Sequence, residues 1–127
     1  MKALLDTNIL IASASHAGEA PRLEPFTGLF VSSLSWSELT KGLHTTTSLT
    51  EFKVRSARLQ TLRAAFGAGL PFDDACSDAY DRILAAVTAA GGSARAHVLD
   101  RLLAATALAN AILAQWSDED ILWIDGM

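Results

Sequence analysis

Short apolar segments that alternate with long helical patterns constrain the fold of this chain more than any other feature. Ala3-Leu4-Leu5 near the start has no polar side chain, so a strand there would be buried on both faces. Such strands are typical of parallel sheets covered by helices on both sides. "LFVSSL" at 29–34, "ILAQW" at 112–116 and "ILWI" near the end predict further strands. We therefore predict an α/β fold, a three-layer α/β/α sandwich with a mostly parallel sheet.

Helical patterns occupy the segments between these strands. A helix is predicted over residues 8–15, and a second begins in "SLSWSELTKGL", where Ser35 and Glu38 match the S-x-x-E capping box. Residues 50–66 form a long amphipathic pattern. "DDACSDAYDRILAAVTAAGG" predicts a helix ended by its two final glycines, and "HVLDRLLAATALANA" predicts a mostly buried one. A short strand is predicted at 70–72.

The length and the composition favour a single domain. With 127 residues, one hydrophobic core is expected over 1–127. Cys76 is the single cysteine, which excludes an internal disulfide and favours a buried thiol. No apolar stretch reaches the length of about 20 residues that crosses a bilayer, and the start lacks the long apolar region of a signal peptide. We expect a soluble cytoplasmic protein without membrane association.

The distribution of basic residues matters more than the net charge. The charge of −4 argues weakly against nucleic acid, because contacts to phosphate come mostly from Lys and Arg. However, four of the ten basic residues lie in one helical segment: Lys53, Arg55, Arg58 and Arg63. The three arginines lie mostly off the apolar stripe of that helix, so a solvated face is the default interpretation.

Carboxylates follow the predicted strands. Asp6 comes directly after the first strand, Glu38 follows the second by a few residues, and Asp118 and Asp120 follow the third. The carboxyl ends of parallel strands meet at one edge of the sheet, where such folds bind their ligands. Asp100 lies in the apolar pattern of the buried helix, where Asp is a poor residue and an unpaired charge is costly.

Each acid also has an ordinary structural interpretation. Asp6 is a good helix N-cap, and Glu38 is the reciprocal partner of Ser35 in the capping box. Asp100 can lie at the surface beside Arg101. The acidic turn "SDED" at 117–120 is typically only solvated. The residues by themselves leave these alternatives open.

A divalent cation would stabilise several acids at one edge of the sheet, because carboxylates that lie close together repel one another when no cation is bound. A hard ion such as Mg²⁺ prefers oxygen ligands, and it can activate water and stabilise the charge of a phosphoryl displacement. Other chemistries have less support. His16, His44 and His97 are isolated, so no clustered zinc site is expected. The glycine motifs that bind phosphate and the G-x-S-x-G elbow do not occur.

Four segments resemble the PIN-domain ribonucleases, and most closely the VapC toxins of bacterial toxin–antitoxin pairs. They are "LLDTNILI", "VSSLSWSELTKGL", "LPFDDACSDAYDRI" and "VLDRLLAATALANA", in the family's order and spacing over nearly the whole chain. The resemblance implies a small α/β/α fold and an endoribonuclease that depends on Mg²⁺ or Mn²⁺. The family's first three acids fall on Asp6, Glu38 and Asp100, and Asn8 would support the site by hydrogen bonding.

The fourth acidic position departs from the family's pattern. Ser117 stands where an Asp or Asn is expected, so we assign the role to Asp118, with Asp120 as the next candidate. Trp116 has two interpretations, a platform on which a base stacks or core packing. The resemblance thus predicts that the catalytic and metal-binding residues are Asp6, Glu38, Asp100 and Asp118.

The resemblance also implies partners. An RNA substrate would be drawn by the metal and by Lys41, Arg55, Arg58 or Arg95, a cognate VapB-like antitoxin would block the site, and the toxin would form a homodimer. The main alternative is a catalytically weak PIN-like module that binds RNA or a protein, which the Ser117 departure favours. A metal-dependent phosphohydrolase for small molecules lacks a supporting nucleotide motif.

Overall fold

The computed structural model describes residues 2–14 and 28–115. In chain order the elements are β1 (Lys2–Leu5), α1 (Thr7–Ala14), β2 (Gly28–Val31), α2 (Ser33–His44), α3 (Leu49–Phe66), α4 (Asp74–Ala89), α5 (Val98–Ala109) and β3 (Leu113–Gln115). Each predicted helix is present, and the strands predicted near residues 2, 29 and 112 are present as well. The strand predicted at 121–124 and the acidic turn at 117–120 lie outside the described residues.

Within the described residues the strands form one parallel sheet in the order β2-β1-β3. Leu4 of the central strand pairs with Phe30 on one side and with Ala114 on the other. A central strand with two parallel neighbours is buried on both faces, and the apolar composition of β1 suits that position. The predicted α/β sandwich with a mostly parallel sheet is thereby confirmed.

Successive residues of β1 pack into different cores, because side chains alternate between the two faces of a strand. Leu4 packs against α4 and α5, where Ile83 and Leu103 are buried. Leu5 packs on the other face against α1, α2 and α3, where Leu10 and Leu62 are buried. The sheet therefore lies between two helical layers, and it holds the end of β1 at a defined position relative to both.

The start of α2 differs from the prediction. Ser32, rather than Ser35, is the N-cap, and its side-chain oxygen accepts a hydrogen bond from the Leu34 N–H at 3.0 Å. Ser35 lies inside the helix and is fully buried, so the predicted capping box of Ser35 and Glu38 is wrong. The cause is a tertiary contact. Ser32 forms a bridge with Leu70 beyond the end of β2, and the helix begins directly after it.

Further sequence predictions concern the segment at 70–72, Cys76 and membrane-spanning helices. The strand predicted at 70–72 is reduced to the single bridge residue Leu70. Cys76 is fully buried as predicted, and burial raises the pKa of its thiol above the usual value of 9.0. Among the described helices, none combines the length and the apolar character needed to cross a membrane.

Candidate active site

A cleft of about 590 Å³ opens at the carboxyl end of β1. Its walls come from the start of α1, from α2, from α3 and from the beginning of α5. This is the edge of the sheet at which parallel α/β folds bind ligands. The acidic residues that line the cleft are Asp6, Glu38, Glu51 and Asp100. The fold therefore brings three sequence-predicted site residues, from three separate segments, to one cavity.

Asp6 has a structural role at the start of α1 and also lines the cleft. It directly follows β1, it is 3% exposed, and its Oδ1 accepts a hydrogen bond from the Ile9 N–H at 2.8 Å. Asp6 is thus the N-cap of α1, as its ordinary interpretation holds. A carboxylate has two oxygens and accepts several hydrogen bonds, so capping leaves it acceptor capacity. The cap fixes the side chain's orientation at the cleft.

Glu38 lies in the second turn of α2 and is half-buried. Since Ser35 is not the N-cap, Glu38 has no reciprocal capping role. Its place among the lining residues puts its carboxylate on the α2 wall of the cleft.

Asp100 lies in the first turn of α5, and not in the interior of the helix as the apolar pattern predicted. A negative charge is favourable there because the N-terminus of a helix is partially positive. Asp100 is half-buried and lines the cleft. The neighbouring Arg101 is 4% exposed and donates from Nη1 to the Ser93 carbonyl. A solvated pair of Asp100 and Arg101 at the surface is therefore wrong.

The D-T-N triplet connects the two walls nearest to Asp6. Thr7 Oγ1 donates a hydrogen bond to Ser35 Oγ at 3.3 Å, which ties the start of α1 to the buried side of α2. Asn8 is exposed and lines the cleft. Ser35 therefore stabilises the site's framework rather than capping its own helix.

Two of the four basic residues predicted to draw RNA, Arg55 and Arg58, lie in the cleft, although the default interpretation of their helix face is a solvated one. Arg55 and Arg58 are half-buried and line the cleft, so the prediction of a solvated face is wrong for these two side chains. A signal for them existed: Glu51, Arg55 and Arg58 recur at intervals of four and three, which places them on one face of α3. Lys41 and Arg95, which were predicted to draw RNA, are exposed and do not line the cleft.

The donor set of the cleft suits a hard divalent cation, whereas the side chains are not gathered around one position. Asp6, Glu38 and Asp100 offer carboxylate oxygens, the ligands that Mg²⁺ prefers. Yet within residues 2–14 and 28–115 no group of three or more acidic, His or Cys side chains is close enough to hold an ion. The fourth predicted ligand, Asp118, lies outside the described residues, as do Ser117, Asp120 and Trp116.

A second cavity, of about 670 Å³, lies on a different face of α2. Arg63 stacks over the Trp36 ring there, with 5.4 Å between the guanidinium carbon and the ring centroid. Its lining residues include no carboxylate. This second cavity is therefore distinct from the acidic cleft, and its described lining offers no carboxylate for metal-assisted chemistry.

A parallel sheet between two helical layers, with carboxylates at the carboxyl end of its central strand, defines an α/β protein with an acidic cleft at its ligand-binding edge. Residues 3–126 match the family model of the PIN domain. The chain therefore belongs to the PIN domain family, and the resemblance seen in its motifs is confirmed. No curated protein matches the sequence significantly.

Solved structures share this fold at low sequence identity. VapBC2 of Rickettsia felis, solved bound to a DNA fragment from its promoter, aligns with a TM-score of 0.80 and 17% identity, covering 100% of this chain and 96% of that one. VapBC-5 of Mycobacterium tuberculosis, from a toxin–antitoxin system, aligns at 0.75 with 21% identity over 98% and 91%. FitAcB of Neisseria gonorrhoeae aligns at 0.73 with 24% identity over 91% and 87%.

Proposed function

We propose that this protein is a metal-dependent endoribonuclease that hydrolyses RNA phosphodiester bonds as the toxin of a toxin–antitoxin module. The observation that carries the proposal is the convergence of Asp6, Glu38 and Asp100 on one cleft at the carboxyl end of β1. Membership of the PIN domain family supports it, and so do structural neighbours that are VapBC proteins.

In the proposed mechanism Asp6, Glu38 and Asp100, joined by Asp118, would hold Mg²⁺ or Mn²⁺. The ion, when bound, would lower the pKa of a water and offset negative charge on the scissile phosphate. The Ile9 N–H orients the Asp6 carboxylate from the protein side. Glu38 and Asp100 line the α2 and α5 walls of the cleft, so their carboxylates would have to turn toward Asp6 to share an ion with it.

The proposal includes the partners and setting that the family resemblance implies. A VapB-like antitoxin would block the cleft, and the structural neighbours that contain VapBC pairs support such a partner. We further propose a single domain over 1–127, a homodimer and a cytoplasmic location. The substrate would be RNA, for which Arg55 and Arg58 supply positive charge at the cleft.

Substitution of the acids tests the chemistry. Asp6→Asn and Asp100→Asn are each expected to reduce cleavage of a tRNA and rRNA pool in Mg²⁺ to the level measured with EDTA. Asn remains a good N-cap at position 6, so the thermal unfolding midpoint should change little. Asp81→Asn, on the exposed side of α4 and outside the cleft, is the matched control and should cleave normally. Full activity in Asp100→Asn would contradict the assignment.

One observation favours the alternative, a catalytically weak PIN-like module that binds RNA or a protein. The acids of the described residues line one cleft without forming a metal-binding group. The same assay separates the two functions. A binding module would retain RNA in Mg²⁺ and leave it intact at every enzyme concentration, whereas the nuclease would cut it unless EDTA is present.

A further inference from the structure

Among residues 2–14 and 28–115, the positive charge of the acidic cleft comes from a single helix. Among the lining residues the two cations, Arg55 and Arg58, both belong to α3, whereas the carboxylates come from four separate segments. The remaining basic residues predicted to attract RNA, Lys41 and Arg95, are not part of the cleft. Within the part of the chain that the structure describes, an anion that enters the cleft therefore meets its cations on the α3 wall.

The two arginines differ in what already binds them. Arg55 Nη1 donates to the Gly42 carbonyl at 2.7 Å, and its Nη2 forms an ion pair with Glu51. Both ends of its guanidinium are thus engaged, and its role is to join α3 to the end of α2. The Arg58 side chain, by contrast, has no hydrogen-bond or ion-pair partner among the described residues.

The charges of the cleft point to the ligand that Arg58 would take. Among the described lining residues, four carboxylates face two guanidiniums, and the carboxylate of Glu51 is paired with Arg55. A divalent cation would offset part of the remaining negative charge, and Arg58 adds a positive charge on the α3 wall. The filled cleft would then repel a phosphate group less. Arg58 is half-buried, where its attraction for an anion is stronger than in bulk water.

We propose that Arg58 forms a phosphate-binding subsite for the RNA backbone on the α3 wall of the cleft, an inference that rests on the proposed nuclease function. The planar guanidinium presents parallel N–H donors that match two oxygens of one phosphate. Arg58 positions the strand across the carboxylates, and Arg55 keeps the α3 wall in place. Since a phosphate contact carries no sequence information, the subsite acts on any RNA strand.

The test is the salt dependence of RNA binding. A fluorescein-labelled single-stranded RNA oligonucleotide of mixed sequence is titrated in Mg²⁺ at several KCl concentrations with proteins that all carry Asp100→Asn, so that the RNA stays intact. Its anisotropy is read, and its integrity is checked on a gel. Loss of one phosphate contact on a single strand lowers the slope of log K against log salt by about 0.7. Arg58→Ala is expected to show that change, with about tenfold weaker binding at low salt.

Matched variants separate binding from structure. Arg58→Lys keeps the charge and should restore most of the slope while losing part of the affinity. Arg82→Ala, on the exposed part of α4 and outside the cleft, should bind like the wild type. The inference is overturned if Arg58→Ala keeps the wild-type slope, or if Arg82→Ala loses as much. A lowered unfolding midpoint in Arg58→Ala that Arg58→Lys restores without restoring binding also overturns it.

The binding and cleavage assays together distinguish a failure of the Arg58 subsite from a failure of the proposed nuclease function. Wild-type protein that cleaves RNA in Mg²⁺, with an Arg58→Ala variant that binds RNA normally, overturns the Arg58 subsite alone. Wild-type protein that binds RNA with a slope dependent on Arg58, but never cleaves it, overturns the nuclease and keeps the subsite. Wild-type protein that neither binds nor cleaves RNA overturns both.

Discussion

Asp6 illustrates how one residue serves both the fold and the site. Its Oδ1 accepts the Ile9 N–H, and the side chain is buried at the mouth of the cleft. Capping and metal binding are compatible because the two carboxylate oxygens provide more acceptor positions than one cap uses. The ordinary and the functional interpretation of Asp6 are therefore not alternatives.

Gly69 occupies a position where no side chain fits. A Cβ there would lie 2.6 Å from the Ser33 N and 2.9 Å from the Ser33 Cα, both backbone atoms of the first residue of α2. Gly69→Ala is expected to destabilise the protein by about 1–3 kcal/mol, because the loop or the helix start must move. Urea denaturation followed by circular dichroism measures the change in the free energy of unfolding.

Gly42, inside α2, is the matched control for Gly69. A Cβ there would contact only Arg55 Nη1, at 3.8 Å. Since Gly is less favourable than Ala within a helix by about 0.5–1 kcal/mol, Gly42→Ala is expected to raise the free energy of unfolding. A similar loss from both substitutions would show that crowding at Ser33 is not what requires Gly69.

At the scale of elements, helices α1 to α4 begin with polar side chains that accept hydrogen bonds from their first N–H groups, whereas His97 at the start of α5 makes no such side-chain bond. Ser48 accepts from the Glu51 N–H at 3.3 Å at the start of α3, and Asp73 accepts from the Cys76 N–H at 3.1 Å at the start of α4. These caps lie next to the residues where the helices were predicted to start. At α2, by contrast, two serines compete for the cap position, and the pairing of Ser32 with Leu70 decides between them.

The α4 cap predicts a dependence of stability on pH. Hydrogen bonds from the Cys76 side chain and then its backbone N–H hold the pKa of Asp73 below its usual value of 3.8. Folding thus favours the charged carboxylate, so its stabilisation is present above pH 3.8 and is lost as the pH falls through the lower pKa of the folded state.

Asp73→Asn tests this dependence, because Asn keeps the cap but does not titrate. Urea denaturation at pH 6 and at pH 3 should show that the wild type loses more stability on acidification than the variant does. The other acids contribute equally to both proteins, so the difference isolates Asp73. Equal losses in the two proteins would contradict the role of its charge.

At the scale of the whole molecule, β1 couples the two cores. Leu4 and Leu5 are buried on opposite faces, one against α4 and α5 and the other against α1, α2 and α3. Leu4→Ala and Leu5→Ala are each expected to destabilise the protein by about 2–5 kcal/mol. Unfolding should remain a single transition. β1 contributes to both cores, so weakening its packing on one face also weakens the other core.

The exposed end of the same strand provides the control. Lys2→Ala removes a cation that lies 6.0 Å from the Phe30 ring centroid, a contact worth about 0.5–1 kcal/mol. Thermal unfolding recorded by near- and far-UV circular dichroism compares the three variants. Two separate transitions in Leu4→Ala or Leu5→Ala would show that the layers fold independently.

Much of the fold follows from local patterns in the sequence. The apolar run before Asp6 predicts a strand buried on both faces, and amphipathic spacing predicts α3 within one residue of its observed start at Leu49. Asp6 and Glu38 reach the cleft because the carboxyl ends of the parallel strands they follow share an edge, whereas Asp100 reaches it from the start of α5. The location of the fourth predicted acid, Asp118, stays a prediction.

Hydrophobic periodicity and the residues that end each strand therefore determined, by themselves, the α/β class, the helices and the edge at which the acids meet. These signals depend on chain neighbours only, so a single sequence contains them. Tertiary structure decided what depends on distant contacts: the capping role of Ser32, the engagement of Arg55 by Gly42, and the place of Arg58 in the cleft. The physical reason is that each of these is selected by a partner from another element, which local spacing does not specify.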